Sequence, residues 1–158
     1  MNQLEGLLQR VSEVARKEEE INLMMLEDAN QRIKKVEDYL NDLGIKKKFY
    51  YSEKQGDSND PCFEDADGYY VGLEWMKDKN KKWRIFYLES NVNLVQDEYQ
   101  EFNLQEKIIK EVPLLEASSN IRISYGREKL EKFLLNYINE TQTFIHNNSS
   151  VKEKNDEL

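Results

Sequence analysis

The stretch that decides the fold is YYVGLEWMKDKNKKWRIFYLES, residues 69–90. Two aromatic runs flank a lysine-rich segment, and in each run the apolar side chains alternate as they do in a half-buried strand. The residues that share one face are Val71, Leu73 and Trp75 in the first run and Trp83, Ile85 and Tyr87 in the second. This pattern predicts a β-hairpin in which Trp75 lies opposite Trp83, both indoles point into the core, and Asn80 takes the left-handed turn position.

The segment between the two runs is basic, and it supports three interpretations. The candidate contact residues are Lys77, Lys79, Lys81, Lys82 and Arg84. A solvated turn is polar for structural reasons alone, and a cluster of cations also suits an acidic protein partner. Cations next to stacking aromatic rings hold single-stranded nucleic acid in other proteins. The predicted hairpin turns the tryptophans inward, so nucleic-acid binding through residues 75–84 is the alternative and not the preferred interpretation.

Residues 1–43 are predicted to be helical. Apolar side chains recur at intervals of three and four residues through the segment, at Leu4, Leu7, Val11, Val14, Ile21, Met25, Ala29, Ile33, Val36 and Leu40. Glu18 occupies one position of this series, and the spacing changes to successive steps of four between Ile21 and Ile33. The sequence favours two helical segments or one bent helix over a single straight rod, with Asn22 as a possible second cap.

The N-terminal helical segment has more apolar surface than a small sheet can cover. We therefore predict that Leu4, Leu7 and Val11 contact a protein partner or a second copy of the chain. The partner class is a protein; nucleic acid is unlikely, and membrane binding is not expected, because no run of the chain approaches 18 consecutive apolar residues.

The remaining pattern completes an α+β fold. Residues 45–125 are predicted to form sheet and loops, with an edge strand near 45–54, a loop over 55–68 and a strand near Ile108–Val112. Residues 114–126 are predicted to form a helical turn, with Ser118 or Ser119 as a possible cap, followed by an extended piece. Residues 127–146 form a helix, and the polar stretch 147–158 is predicted to be a disordered tail. The prediction is one domain, 1–146: an N-terminal helix or two helices, a small antiparallel sheet of three or four strands, and a C-terminal helix packed on one sheet face.

Catalytic and cofactor signatures are poor. The only cysteine, Cys62, lies in an acidic loop, and the only histidine, His146, lies at the end of the last helical pattern. A Cys62–His146 dyad is conceivable, but a spare thiol and a solvent-facing imidazole are the preferred interpretation. A zinc site usually takes four Cys or His ligands, and the chain has two such residues. The acidic stretch 57–67 does not match a calcium-binding loop, and no glycine-rich phosphate cradle is present. We predict no catalytic residue, metal or cofactor; an enzyme that uses carboxylates or a metal is the second alternative.

Composition places the chain in a broad class. It has 158 residues, a formal charge of −8, 39% apolar and 34% charged residues. A single cysteine and the absence of a signal-peptide pattern favour the cytoplasm. The preferred function is non-enzymatic protein binding, as an inhibitor, immunity-type factor, adaptor or assembly subunit.

Overall fold

A computed structural model describes residues 2–55, 67–96 and 98–156, with side chains up to Ser150. The fold is mixed α+β, as predicted: an N-terminal helix, a four-stranded antiparallel sheet and a C-terminal helix. The strands are β1 (Phe49–Gln55), β2 (Gly68–Lys77), β3 (Trp83–Gln96) and β4 (Phe102–Pro113). They form a simple meander in the order β1-β2-β3-β4.

The N-terminal helix α1 is a single continuous element, Gln3–Asp42. The Asn2 side chain caps its start by accepting a hydrogen bond from the Glu5 backbone N–H at 2.8 Å. Gly44 follows the helix with φ +71°, the left-handed conformation that commonly ends helices. The expected division into two helical segments near residues 18–22 is absent, because no proline and no glycine interrupts the helical hydrogen bonds there.

The hairpin forms, but its register differs from the prediction. Trp75 lies opposite Ile85, and Trp83 lies opposite Lys77. Asp78 sets this register, because its carboxylate accepts hydrogen bonds from the backbone N–H groups of Asn80 and Lys82 at 2.8 and 2.9 Å. The left-handed residue is Lys81, with φ +62°, and not Asn80. The pairing is shifted by two residues relative to the prediction, so the same side chains still share a face.

Helices cover one face of the sheet, which we call the covered face. Its fully buried centre combines strand residues with residues of the helices: Leu73, Trp75 and Ile85 pack with Ile33, Leu114, Leu130 and Phe133. Phe49 stacks on Phe133 with 4.6 Å between ring centroids. Only the second half of α1, from Ala29 onward, contributes buried residues to this layer.

The segment after β4 is helical, which corrects the predicted extended piece at 120–126. A 3₁₀ turn (Leu114–Glu116) leads into the short helix α2 (Ser119–Ser124) and a π-helical turn (Tyr125–Lys129). Ser118 caps α2, and the Arg122 guanidinium donates to the Ala117 carbonyl and to Asn30 of α1. These contacts outweigh the strand preference of the neighbouring isoleucines.

The last helix, α3, spans Leu130–Asp156. Residues 147–156 are therefore helical, where the polar composition predicted a disordered tail. Hydrogen bonds from side chains to the helix backbone continue past His146: the Asn148 side chain donates to the Phe144 carbonyl at 2.8 Å. The predicted loop 55–68 lies almost entirely outside the described residues, and the division into a single domain 1–146 stays a prediction.

Candidate functional site

The lysines predicted as partner contacts cluster at the tip of the β2–β3 hairpin, residues 77–82. Lys77, Lys79, Lys81 and Lys82 are all exposed. The Lys77 ammonium lies 5.8 Å from the centroid of the Trp83 ring, a cation–π distance. The structure therefore groups four of the five basic candidates on one exposed turn.

Arg84, the fifth basic candidate, does not belong to this exposed group. Its side chain is 23% exposed, and its guanidinium lies 3.8 Å from the Glu37 carboxylate and 3.7 Å from that of Glu116. These contacts join β3 to α1 and to the 3₁₀ turn. Arg84 therefore has a structural role, and the prediction that it faces a partner is not supported by its position.

The two tryptophans lie side by side beneath the helices. Their ring centroids are 6.0 Å apart and their planes differ by 24°. Trp75 is fully buried, and its indole N–H donates to the Ile45 carbonyl at 2.9 Å. Trp83 is half-buried. Because the rings pack on each other and on the protein, neither presents an open face for stacking with a base.

The first half of α1 carries an uncovered apolar surface. Every residue from Gln3 to Met24 except Gly6 is exposed. The predicted contacts Leu4, Leu7 and Val11 are 62%, 48% and 63% exposed, and Val14 and Ile21 are equally accessible. We call Leu4, Leu7, Val11, Val14 and Ile21 the apolar stripe. Its alternating spacing of three and four residues, with Glu18 as the one polar interruption, is that of a coiled-coil seam.

The change of spacing after Ile21 explains why only half of α1 is covered. Steps of four residues rotate successive side chains around the helix, so that Ala29, Ile33 and Leu40 point into the core. Gly126 in the π-helical turn permits close contact at this point, because a Cβ there would lie only 3.1 Å from the Ala29 carbonyl oxygen. The helix is thus anchored at its C-terminal half, and the apolar stripe extends beyond the anchor.

A second uncovered surface lies on the sheet face opposite the helices, which we call the open face. Following the register, its residues include Tyr50, Ser52, Lys54, Tyr70, Gly72, Glu74, Met76, Arg84, Phe86, Leu88, Ser90, Val92, Leu94, Phe102, Leu104, Glu106, Ile108 and Glu111. Of these, Gly72, Phe86 and Ser90 are buried. Phe102, Leu104 and Ile108 of β4 are exposed. A cavity of about 330 Å³ lies at the centre of this face, next to Tyr70 and Glu74.

Charge on the open face is distributed unevenly. Glu106 and Glu111 lie on the β4 side, while Lys48 and Lys54 lie at the β1 side by alternation along that strand. Burial raises the pKa of the Glu74 carboxyl; Lys48 opposes this shift, and the neighbouring carboxylates of Glu111 and Glu106 add to it. The sequence indicated that this face was mixed. It did not reveal its extent, because only part of β4 was predicted and because a bulge at Glu89/Ser90 alters which residues face outward.

A polar cluster joins the covered face to α3. The Glu53 carboxylate accepts a hydrogen bond from the Tyr51 hydroxyl, and it contacts the ammonium groups of Lys129 and Lys132 at 3.1 and 3.3 Å. The Tyr51 hydrogen bond and the two lysines hold the pKa of Glu53 at about 2. These groups are bonded to one another, so the cluster connects β1 to α3 and offers no unpartnered catalytic group.

The described residues offer few side chains that could bind a metal ion or act as a nucleophile. Within residues 2–55, 67–96 and 98–156, no three His, Cys, Asp or Glu side chains are grouped as a metal site would require. His146 is exposed on α3. Cys62 and most of the acidic stretch 57–67 lie outside the described residues, while Asp67 accepts a hydrogen bond from the Leu94 backbone N–H at 2.6 Å.

No helix in the described part of the chain is long and apolar enough to cross a membrane. Comparison with known proteins gives no match to a family model, to a curated protein or to a solved structure.

Proposed function

We propose that this chain is a non-enzymatic protein-binding module, and that the apolar stripe on the first half of α1 is its principal docking surface. The observation that carries the proposal is the exposure of the whole stripe on a helix that is anchored elsewhere. An isolated helix in water gains little from its own hydrogen bonds, and most helical stability in proteins comes from packing an apolar face. A partner that covers the stripe supplies that packing.

The spacing of the stripe favours a helical or sheet partner over a small ligand. Leu4, Leu7, Val11 and Val14 form a continuous seam without a concave pocket, and such seams bind protein surfaces through anchors at i, i+3 and i+7. Exposed apolar area of this kind marks an interaction site in soluble proteins. An inhibitor, an immunity-type factor, an adaptor or an assembly subunit would each use such a surface, and the single cysteine suits the cytoplasm.

The hairpin tip is a secondary contact within the same proposal. Four exposed lysines on an otherwise acidic chain attract an acidic partner and accelerate its association. The nucleic-acid alternative has weaker support, because Trp75 is buried and Trp83 packs against it. Titration of a labelled single strand at low salt tests that alternative, since phosphate contacts strengthen as salt falls.

Two matched variants test the main proposal. Val11→Glu and Gln9→Glu each add one negative charge to the same region of α1, but only Val11 lies on the stripe. We expect the wild-type chain and Gln9→Glu to retain the same partner, whether a second copy or another protein, in light scattering and in quantitative affinity capture. Val11→Glu should lose it. Equal mass and equal recovery for all three chains would refute the proposal.

A further inference from the structure

The chain carries two surfaces that no helix of the described residues covers: the apolar stripe on α1 and the open face of the sheet, which mixes apolar and polar side chains. The stripe from Leu4 to Ile21 is about 26 Å long at 1.5 Å per residue. The central strands β2 and β3 have 10 and 14 residues, so the open face is about 33 Å or more in length. A helix the size of the stripe therefore fits along the open face.

Basic charges beside the stripe match acidic charges on the open face. At about 100° per residue, Arg10 and Lys17 lie along one side of the stripe, and Leu8, Ala15 and Asn22 flank its other side. On the open face the acidic side is β4, with Glu106 and Glu111, and the basic side is at β1, with Lys54 in the strand and Lys48 just before it. A helix laid along the strands with its basic side over β4 brings Arg10 and Lys17 close to Glu106 and Glu111.

The stripe of one chain has no route to the open face of the same chain. Ala29, Ile33 and Leu40 fix the second half of α1 on the covered face, and the helix is continuous through Gln3–Asp42. The first half therefore extends from the covered side and does not turn back around the sheet. A stripe that reaches an open face must belong to another molecule.

We propose that the open face of the sheet binds the first half of α1 from a second copy of this chain. This inference rests on the proposed function, and it identifies the partner as the chain itself and the partner's surface as the open face. Leu4, Leu7 and Val11 then cover apolar side chains such as Leu88, Leu104 and Ile108. Arg10 and Lys17 approach Glu106 and Glu111.

A photo-reactive amino acid at position 11 of the full chain tests this arrangement directly. Mixing ¹⁴N- and ¹⁵N-labelled protein distinguishes links between copies from links within one copy. We expect mixed-isotope links from position 11 to peptides of β2, β3 or β4. Mixed links to residues 3–25 of the other copy would show helix–helix pairing and overturn the inference. Links only to a different protein would also overturn it while leaving the proposed function intact, and the absence of any link to another molecule would refute both.

Charge reversal gives a second test that does not depend on the photo-reactive group. Arg10→Glu with Lys17→Glu should weaken self-association at least about tenfold, because like charges then face each other. Adding Glu106→Lys and Glu111→Lys should restore it. Arg16→Glu, on the far side of α1 from the stripe, serves as the control and should leave association unchanged. Failure of the four-fold variant to recover, with circular dichroism unchanged, would contradict the proposed contact.

Discussion

The Glu37 carboxylate of α1 accepts a hydrogen bond from the backbone N–H of Ile85 at 2.8 Å, in the interior of the protein. β4 ends at Pro113, opposite Phe86, so Ile85 lies just beyond the point where that neighbouring strand stops. Glu37 replaces the missing strand as an acceptor, with Arg84 nearby. Burial raises the pKa of Glu37, and the bond to Ile85 and the charge of Arg84 oppose the shift.

Removing this acceptor should destabilise the fold. Glu37→Ala leaves the Ile85 N–H buried without a partner, and we expect a loss of about 1–3 kcal/mol in the free energy of unfolding. Glu37→Gln keeps an acceptor oxygen and should cost less. Asp38→Ala is the control, because it removes only an exposed ion pair with Lys34, and solvent screens such pairs so that they contribute little to stability. Urea denaturation measures all three, and equal losses for the two alanine variants would contradict the role of Glu37.

Gly72 permits the close approach of β1 to β2. A Cβ built at Gly72 would lie 2.0 Å from the Tyr51 carbonyl oxygen, a backbone atom that cannot move without displacing the strand. Gly72→Ala should therefore destabilise by several kcal/mol or prevent folding, beyond the cost of ordinary overpacking of about 1–3 kcal/mol. Gly6→Ala meets open space in α1 and should be neutral or stabilising by up to about 1 kcal/mol. Thermal unfolding compares the two; tolerance of alanine at both positions would show that the strands are not this close.

Lys81 carries a backbone conformation that suits glycine. Its φ of +62° is left-handed, and a lysine there has a conformational cost that glycine does not have. Lys81→Gly should leave the free energy of unfolding unchanged or raise it by up to about 1 kcal/mol. Lys79 lies two residues before Lys81 and has no positive φ. Lys79→Gly should therefore lower the free energy of unfolding. Chemical denaturation of the two variants tests the turn geometry, and the reverse order of stability would contradict it.

Glu53 should make stability depend on pH in the acid range. Its pKa falls from the ordinary 4.5 to about 2 on folding, so the unfolded chain binds its proton first. The stabilisation is complete above pH 4.5 and is lost as the pH falls toward 2. The difference in unfolding free energy between wild type and Glu53→Gln should narrow over that interval. A difference that stays constant from pH 6 to pH 2 would show that Tyr51, Lys129 and Lys132 do not act on the ionised carboxylate.

Periodicity was sufficient to predict that the N-terminal segment is helical, and to predict the central hairpin, the last helix and the α+β class, because these features follow from local alternation and heptad spacing. It did not predict that α1 is one continuous helix. It did not predict the register, because that depends on Asp78 and its two backbone hydrogen bonds in the turn. The helical conformation of 119–129 depends on contacts with α1 that are distant in sequence, such as the bond from Arg122 to Asn30. The open face required the full length of β4 and the position of its bulge.

The candidate contacts were partly predictable for the same reason. Leu4, Leu7 and Val11 could be predicted to be exposed, because the apolar surface of the N-terminal helix is larger than a small sheet can cover. All three side chains are exposed in the structure. Arg84 was grouped with the exposed lysines because alternation alone cannot show that its side chain reaches Glu37 around the end of β4.

Amide hydrogen exchange in the assembled full-length protein tests the docking role of α1 most directly. In the complex, peptides covering Gln3–Met24 should exchange at least about tenfold more slowly than in the Val11→Glu variant, because a covered helix opens less often. Peptides covering Ala29–Leu40, which are anchored on the sheet in both proteins, should not differ. Equally fast exchange of Gln3–Met24 in both proteins would show that this half of the helix stays uncovered, contrary to the role we assign to it.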